Sequence, residues 1–298
     1  RGPGRGGDGA DPCVRMRASG VRRAPLRAVV GSLISVHVGA AYAKGLFPLV
    51  GSAGITATRV GLASILLLAF WRPWRAPLMR KDAINVAIYG VMLGMMNLLI
   101  YAAFARIPIG VAIAIEVIGP LAVVVFSSRH ARDFAWVACA AFGLWLLAPT
   151  APGADALDPV GVAAALGAGF CWAMYIVFGK RVSTLKGGHV VAWGMFAAAL
   201  CTVPVGIAQA GSALFAPQVL IGGLVVALLS SILPYSLEMM ALSRLPRRVF
   251  GILVSAGPAV GALAGFLVLG EVLTTTQWLA IGMIVLATAG SAATANRG

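Results

Sequence analysis

Residues 106–120, Arg-Ile-Pro-Ile-Gly-Val-Ala-Ile-Ala-Ile-Glu-Val-Ile-Gly-Pro, return at residues 244–258 as Arg-Leu-Pro-Arg-Arg-Val-Phe-Gly-Ile-Leu-Val-Ser-Ala-Gly-Pro. Arg106, Pro108, Val111, Gly119 and Pro120 fall on Arg244, Pro246, Val249, Gly257 and Pro258 at a constant offset of 138, and Asp133 continues the match to Glu271. A period near half the chain makes the protein a duplication and sets its architecture. The first copy also carries Glu116 within an apolar run, where an ionised carboxylate costs about 2.5 kcal/mol or more to bury in a bilayer. The second copy has Val254 at that place.

Of the 298 residues, 60% are hydrophobic and 11% charged, which is too little polar surface to cover a water-soluble globule. The apolar stretches approach the roughly 20 residues of a membrane-spanning helix and do not alternate as barrel strands do. The expected class is therefore an all-α integral membrane protein. The net charge of +14 is spread over short loops and the N-terminal tail, which argues against a nucleic-acid partner and for topology. Cys13, Cys139, Cys171 and Cys201 form no CxxC pair, and His37, His130 and His189 have no ligand spacing, so no metal or other cofactor is expected. No Walker loop, GxSxG elbow, HExxH helix or dinucleotide fingerprint occurs in its required context, so the chain does not read as an enzyme. A membrane-embedded enzyme or scaffold would need a paired catalytic constellation or a folded partner-binding domain, and the loops are too short for either.

Ten spans emerge, near 26–44, 54–71, 83–104, 109–127, 134–150, 159–180, 189–209, 218–242, 248–268 and 275–294. Residues 1–24, rich in Gly and Arg, read as a disordered basic tail. The first repeat covers 25–150, residues 151–158 form an external linker, and the second repeat covers 159–298. Arg and Lys prefer the cytoplasmic side, and their alternation between loops places both termini there. Five spans per repeat is an odd number, so the two five-helix repeats are inverted. Inverted repeats supply two packings of similar energy, one open to each side, which is the basis of alternating access.

Glu116 lies seven residues from Ile109, so about 10 Å into its span at 1.5 Å per residue. Pro120, four residues on, removes the hydrogen bond that the Glu116 carbonyl would accept, which would put carboxylate and free carbonyl at one spot. Pro234 should free the carbonyl of Ser230 in the same way, four residues before Glu238, and Pro258 repeats Pro120. Asn97 and Tyr101 share a helical face and offer an amide and a phenol to a polar solute. Tyr235 is the repeat equivalent of Asn97. Arg59 and Lys44 are cations suited to a carboxylate, with snorkelling to the interface as the plainer role. The Gly- and Ala-rich stretches read as close helix packing. Trp71, Trp74, Trp136, Trp172 and Trp278 read as interface anchors.

This duplicated, Pro-punctuated pattern resembles the drug/metabolite transporter superfamily in its EamA-domain branch. The resemblance rests on Ala43 to Gly51, Thr56 to Arg59, Phe70 to Arg75, Glu116 to Ala122, Phe126 to Arg129, Cys171 to Ile176, Leu233 to Met239 and Arg244-Leu-Pro246. It implies export of L-threonine and L-homoserine from the cytoplasm across the bacterial inner membrane in exchange for protons. Exporters of another metabolite, or of hydrophobic cationic drugs, are the alternative. One departure stands out, since the family often has Glu where this chain has Gly257. Sequence leaves the oligomeric state open, monomer or homodimer.

Overall fold

The computed structural model describes residues 12–75, 78–127, 131–147, 157–182, 185, 187–234, 237 and 247–294. The regular structure among them is helical throughout. Seven helices are long and apolar enough to cross a membrane, and three shorter apolar segments, Ile109–Val123, Phe134–Leu146 and Pro217–Ile232, accompany them. Large apolar side chains such as Phe70, Leu267 and Val272 remain exposed, while Arg59, Asn97 and Glu116 are buried. Apolar outside with charge inside is the arrangement of a bundle whose solvent is lipid.

Helix α1 spans Pro12–Gly45 and α2 spans Phe47–Trp71. The backbone is therefore helical from residue 12, where a disordered tail to residue 24 was expected; residues 1–11 lie outside the described residues. Only Leu46 separates the two helices, although the sequence suggested a longer connection up to residue 54. The extra turn fits because α2 is kinked at Gly51, whose φ of 73° and ψ of 173° are non-helical. A residue with a Cβ rarely adopts that φ. The kink turns the N–H of Ala53 toward Gln209, whose Oε1 accepts it at 2.9 Å.

The remaining helices are α3 (Arg80–Phe104), α4 (Ile109–Glu116), α5 (Ile118–Ser127), α6 (Ala131–Leu146), α7 (Pro159–Val182), α8 (Gly187–Ala210) and α9 (Pro217–Ala227). A π-helical turn, Leu228–Ile232, follows α9; then come α10 (Arg247–Val254), α11 (Gly257–Leu269) and α12 (Thr275–Thr294). The stretches 109–127 and 248–268, each expected as a single span, are both hinged. One breaks at Val117 and the other at Ser255–Ala256, 138 positions later. Each break precedes a Gly-Pro pair, because Pro120 and Pro258 have no N–H to continue the ladder.

Every residue of α4 is buried, in keeping with a sequence apolar on all sides until Glu116. Around it pack α3, α7, α11 and α12; beyond them α2 packs on α8 and α6 on α12. Small residues set these distances. A Cβ added at Gly110 would lie 2.6 Å from Cα of Ala262, and one at Gly94 would lie 3.0 Å from Cα of Ala198.

At the turn joining α3 to α4, Arg106 Nη1 lies 2.8 Å from Asp158 Oδ2. The other Asp158 oxygen accepts the Val160 N–H at 2.8 Å, capping α7. The Arg106 hydrogen bond, with the Val160 N–H, holds the Asp158 carboxyl below its ordinary range. A depressed carboxylate stabilises the fold above its unfolded pKa of about 3.9 and loses that contribution as pH falls through its lower folded value. The stability difference between the wild type and Asp158→Ala should thus stay constant from about pH 8 to 5 and shrink only below about 4. Thermal unfolding in detergent across that range checks it.

Candidate functional site

Between α1, α2, α3, α4, α7 and the π turn lies a cavity of about 250 Å³. Its polar lining is His37, Arg59, Asn97, Tyr101, Glu116, Ser230 and Ser231. These seven come from positions 37 to 231, and only the packing of the helices brings them together.

Arg59 is 8% exposed, in the interior of α2. Its Nη2 donates to Oδ1 of Asn97, and its guanidinium stands over the Tyr101 ring, 5.0 Å from the centroid. The Asn97 Nδ2 donates to the Leu93 carbonyl at 2.7 Å, which fixes the amide so that its oxygen faces Arg59. Asn97 thus positions the guanidinium, whereas the sequence suggested direct contact with solute. The Nε of Arg59 and the hydroxyl of Tyr101 are buried without a hydrogen-bond partner. Orphaned donors of this kind cost about 1–3 kcal/mol each unless a ligand or water meets them.

Glu116 closes α4 at the Val117 hinge and is 8% exposed. Its carboxyl makes no hydrogen bond or ion pair among the described residues. Arg59 lines the same cavity. The carbonyl freed by Pro120 packs against α7, where a Cβ at Gly169 would lie 2.7 Å from the Glu116 oxygen.

The π turn alters the expectation for Pro234 as well. In an α-helix the missing N–H would orphan Ser230; with one residue added per turn it orphans Leu229 instead. The Ser35 hydroxyl of α1 donates to that Leu229 carbonyl at 2.6 Å. Ser230 is left with its hydroxyl on the cavity and no partner.

His37 and Trp172 were not among the site residues read from sequence. His37 lacks metal spacing, and its one legible signal is an ionisable ring inside the first span. Trp172 lines the cavity because it lies mid-way along α7, not at a helix end. Tyr235 and Glu238 lie outside the described residues.

Lys44 does not line the cavity. Its Nζ is 2.6 Å from Glu271 Oε1 and donates to the Ile107 carbonyl at 3.2 Å. The second Glu271 oxygen accepts the Ile109 N–H at 3.0 Å, placing a carboxylate at the N-terminus of α4, where the helix dipole favours it. One ion pair thereby ties together the ends of α1, α3, α4 and α11. We expect Lys44→Met and Glu271→Gln each to destabilise the protein by about 1–3 kcal/mol, since the pair is only partly buried. The double variant should fall short of the sum by about 1–2 kcal/mol, read from melting midpoints in detergent.

Apolar spans, two hinged helices and a small cavity holding a few buried polar groups are the features of a multi-pass membrane transporter. The chain belongs to the EamA-like transporter family, whose pattern matches residues 159–292. It is 47% identical over 273 residues to the threonine/homoserine exporter RhtA of Escherichia coli K12, covering 92% of both chains. Identity to RhtA of Salmonella typhimurium LT2 is 46% over the same length and 92% of each chain. Identity to the uncharacterised inner membrane transporter YedA of E. coli K12 is 29% over 238 residues, 76% of each chain. A protein of known crystal structure, 21% identical, superposes with a TM-score of 0.59 over 93% of this chain and 96% of its own.

Proposed function

We propose that this protein exports small hydroxyl-bearing amino acids, L-threonine and L-homoserine, from the cytoplasm across the inner membrane by proton antiport. The observation that carries this is that a carboxylate without a partner among the described residues, Glu116, and a guanidinium, Arg59, line one cavity of about 250 Å³. An α-amino acid is a zwitterion, and its ammonium and carboxylate complement those two charges. The relatives named for threonine and homoserine export support the substrate. Drug-sized ligands occupy pockets of about 300–1,000 Å³, so hydrophobic cationic drugs fit this cavity less well.

In this scheme the chain crosses ten times, seven long helices and three shorter segments, as inverted repeats 25–150 and 159–298 joined by residues 151–158. Hinges at equivalent positions and the packing of α2 on α8, α4 on α11 and α6 on α12 support that symmetry. Both termini are cytoplasmic, so the Lys44–Glu271 pair closes the outer side. Substrate binds ionised Glu116 from the cytoplasm; a proton arriving from outside neutralises the carboxylate and releases the ammonium. Pro120 and Pro258 hinge the two broken helices, and Pro234 helps shape the π turn.

Export of labelled threonine and homoserine from preloaded proteoliposomes, with an inwardly directed proton gradient, tests the proposal. Gradient-stimulated efflux of both, without efflux of glutamate or lysine, is the expected result. Absence of threonine and homoserine efflux from folded protein would overturn the substrate; efflux indifferent to the gradient would overturn the coupling.

A further inference from the structure

We propose that His37 accepts the side-chain hydroxyl of the transported solute and so selects hydroxy-amino acids over analogues that cannot donate there. This rests on the amino-acid reading of the cavity and goes beyond it by naming what recognises the side chain.

The Nδ1 of His37 lies 2.6 Å from the Leu33 carbonyl, one turn earlier on α1. A carbonyl oxygen only accepts, so Nδ1 carries the hydrogen. In the neutral ring Nε2 is then an acceptor, with its lone pair in the ring plane. No hydrogen-bond partner meets Nε2 among the described residues, and the ring lines the cavity. What keeps the space open is α11: a Cβ on Gly257 would lie 3.6 Å from both Nε2 and Cε1, and one on Gly261 would lie 3.1 Å from Cδ2. Two glycines thus hold back the wall beside a fixed acceptor.

The second group is Ser230, whose hydroxyl lines the same cavity without a partner among the described residues. Its position is set by the π turn and by the Ser35 bond to the preceding carbonyl. An acceptor and a rotatable hydroxyl together match a group that both donates and accepts, which is an alcohol. Arg59 and Glu116 serve the two charges common to every amino acid, which leaves the side chain to the uncharged polar groups of the cavity, His37 and Ser230 among them. A methyl in place of the alcohol would leave buried polar atoms unmet, the situation in which hydrogen-bonding sites discriminate most strongly.

The test compares L-homoserine with its constitutional isomer O-methyl-L-serine, and L-threonine with L-valine, as inhibitors of labelled threonine counterflow. The wild type should favour the hydroxyl compound about tenfold or more in each pair. In His37→Phe and His37→Leu the ratio should fall toward about one, and in His37→Gln, whose amide oxygen accepts, it should recover in part. Equal inhibition by homoserine and O-methylserine in the wild type would overturn the proposal without any variant having to fold. So would a preference unchanged in a folded Phe or Leu variant. Failure of the wild type to transport threonine at all would instead sink the amino-acid reading beneath it.

Discussion

Glu116→Gln abolishes gradient-driven efflux of threonine while the protein stays folded and monodisperse in detergent. The substitution keeps the shape of the side chain and removes its ability to carry charge or to exchange a proton. Among the described residues that line the cavity, Glu116 is the one carboxylate. It also has no structural partner to lose, since its carboxyl makes no hydrogen bond or ion pair among them. A buried unpaired acid costs about 2.5 kcal/mol or more when ionised, so a neutral amide leaves stability unchanged or slightly raised. Loss of efflux with a preserved melting point would therefore place the defect in coupling or ammonium binding. Efflux that still responds to the gradient would remove Glu116 from the mechanism and leave the coupling group to be found elsewhere.

Gly119→Val prevents the bundle from closing and lowers the yield of folded protein severely, by an effect expected to exceed that of any cavity variant on stability. A Cβ at Gly119 meets the backbone carbonyl of Gly169, and it would lie 2.9 Å from the Gly169 Cα. Those are backbone atoms of α7, and no rotamer change can clear them. Overpacking of a side chain typically costs about 1–3 kcal/mol; displacing a whole helix costs more. Gly282, in the middle of α12, supplies the contrast: a Cβ there has nothing within 4 Å. Gly282→Ala should raise stability by about 0.5–1 kcal/mol through helix propensity alone. Equal tolerance of both substitutions, read as melting midpoint and monodisperse yield, would mean that the Gly119–Gly169 approach does not hold the hinge.

The two variants mark different kinds of information. Glu116 was legible as a candidate because an acid in an apolar run is expensive wherever the neighbours are. The hinges at 117 and 255 were legible from Gly-Pro, although as freed carbonyls and not as turns that divide each helix in two. The approach of the Glu116 carbonyl to Gly169 was not legible, because Gly169 is fifty-three positions along the chain and helical spacing cannot reach it. The same holds for Asn97, whose amide has one partner four residues back and another on α2.

What the sequence determined by itself was whatever follows from composition and local period: membrane class, helices, the duplication, and a short set of residues too polar for lipid. Those properties need only the chain and its solvent. Tertiary structure alone decided which polar groups face one another. It joined Lys44 to Glu271 and left Glu116 unpaired among the described residues; it shifted the orphan carbonyl from Ser230 to Leu229, and it brought His37 to the cavity. Pairing between distant helices depends on their rotation and separation, which are set by small residues such as Gly110, Gly119 and Gly257 meeting atoms of other helices, and no periodicity within one helix records those meetings.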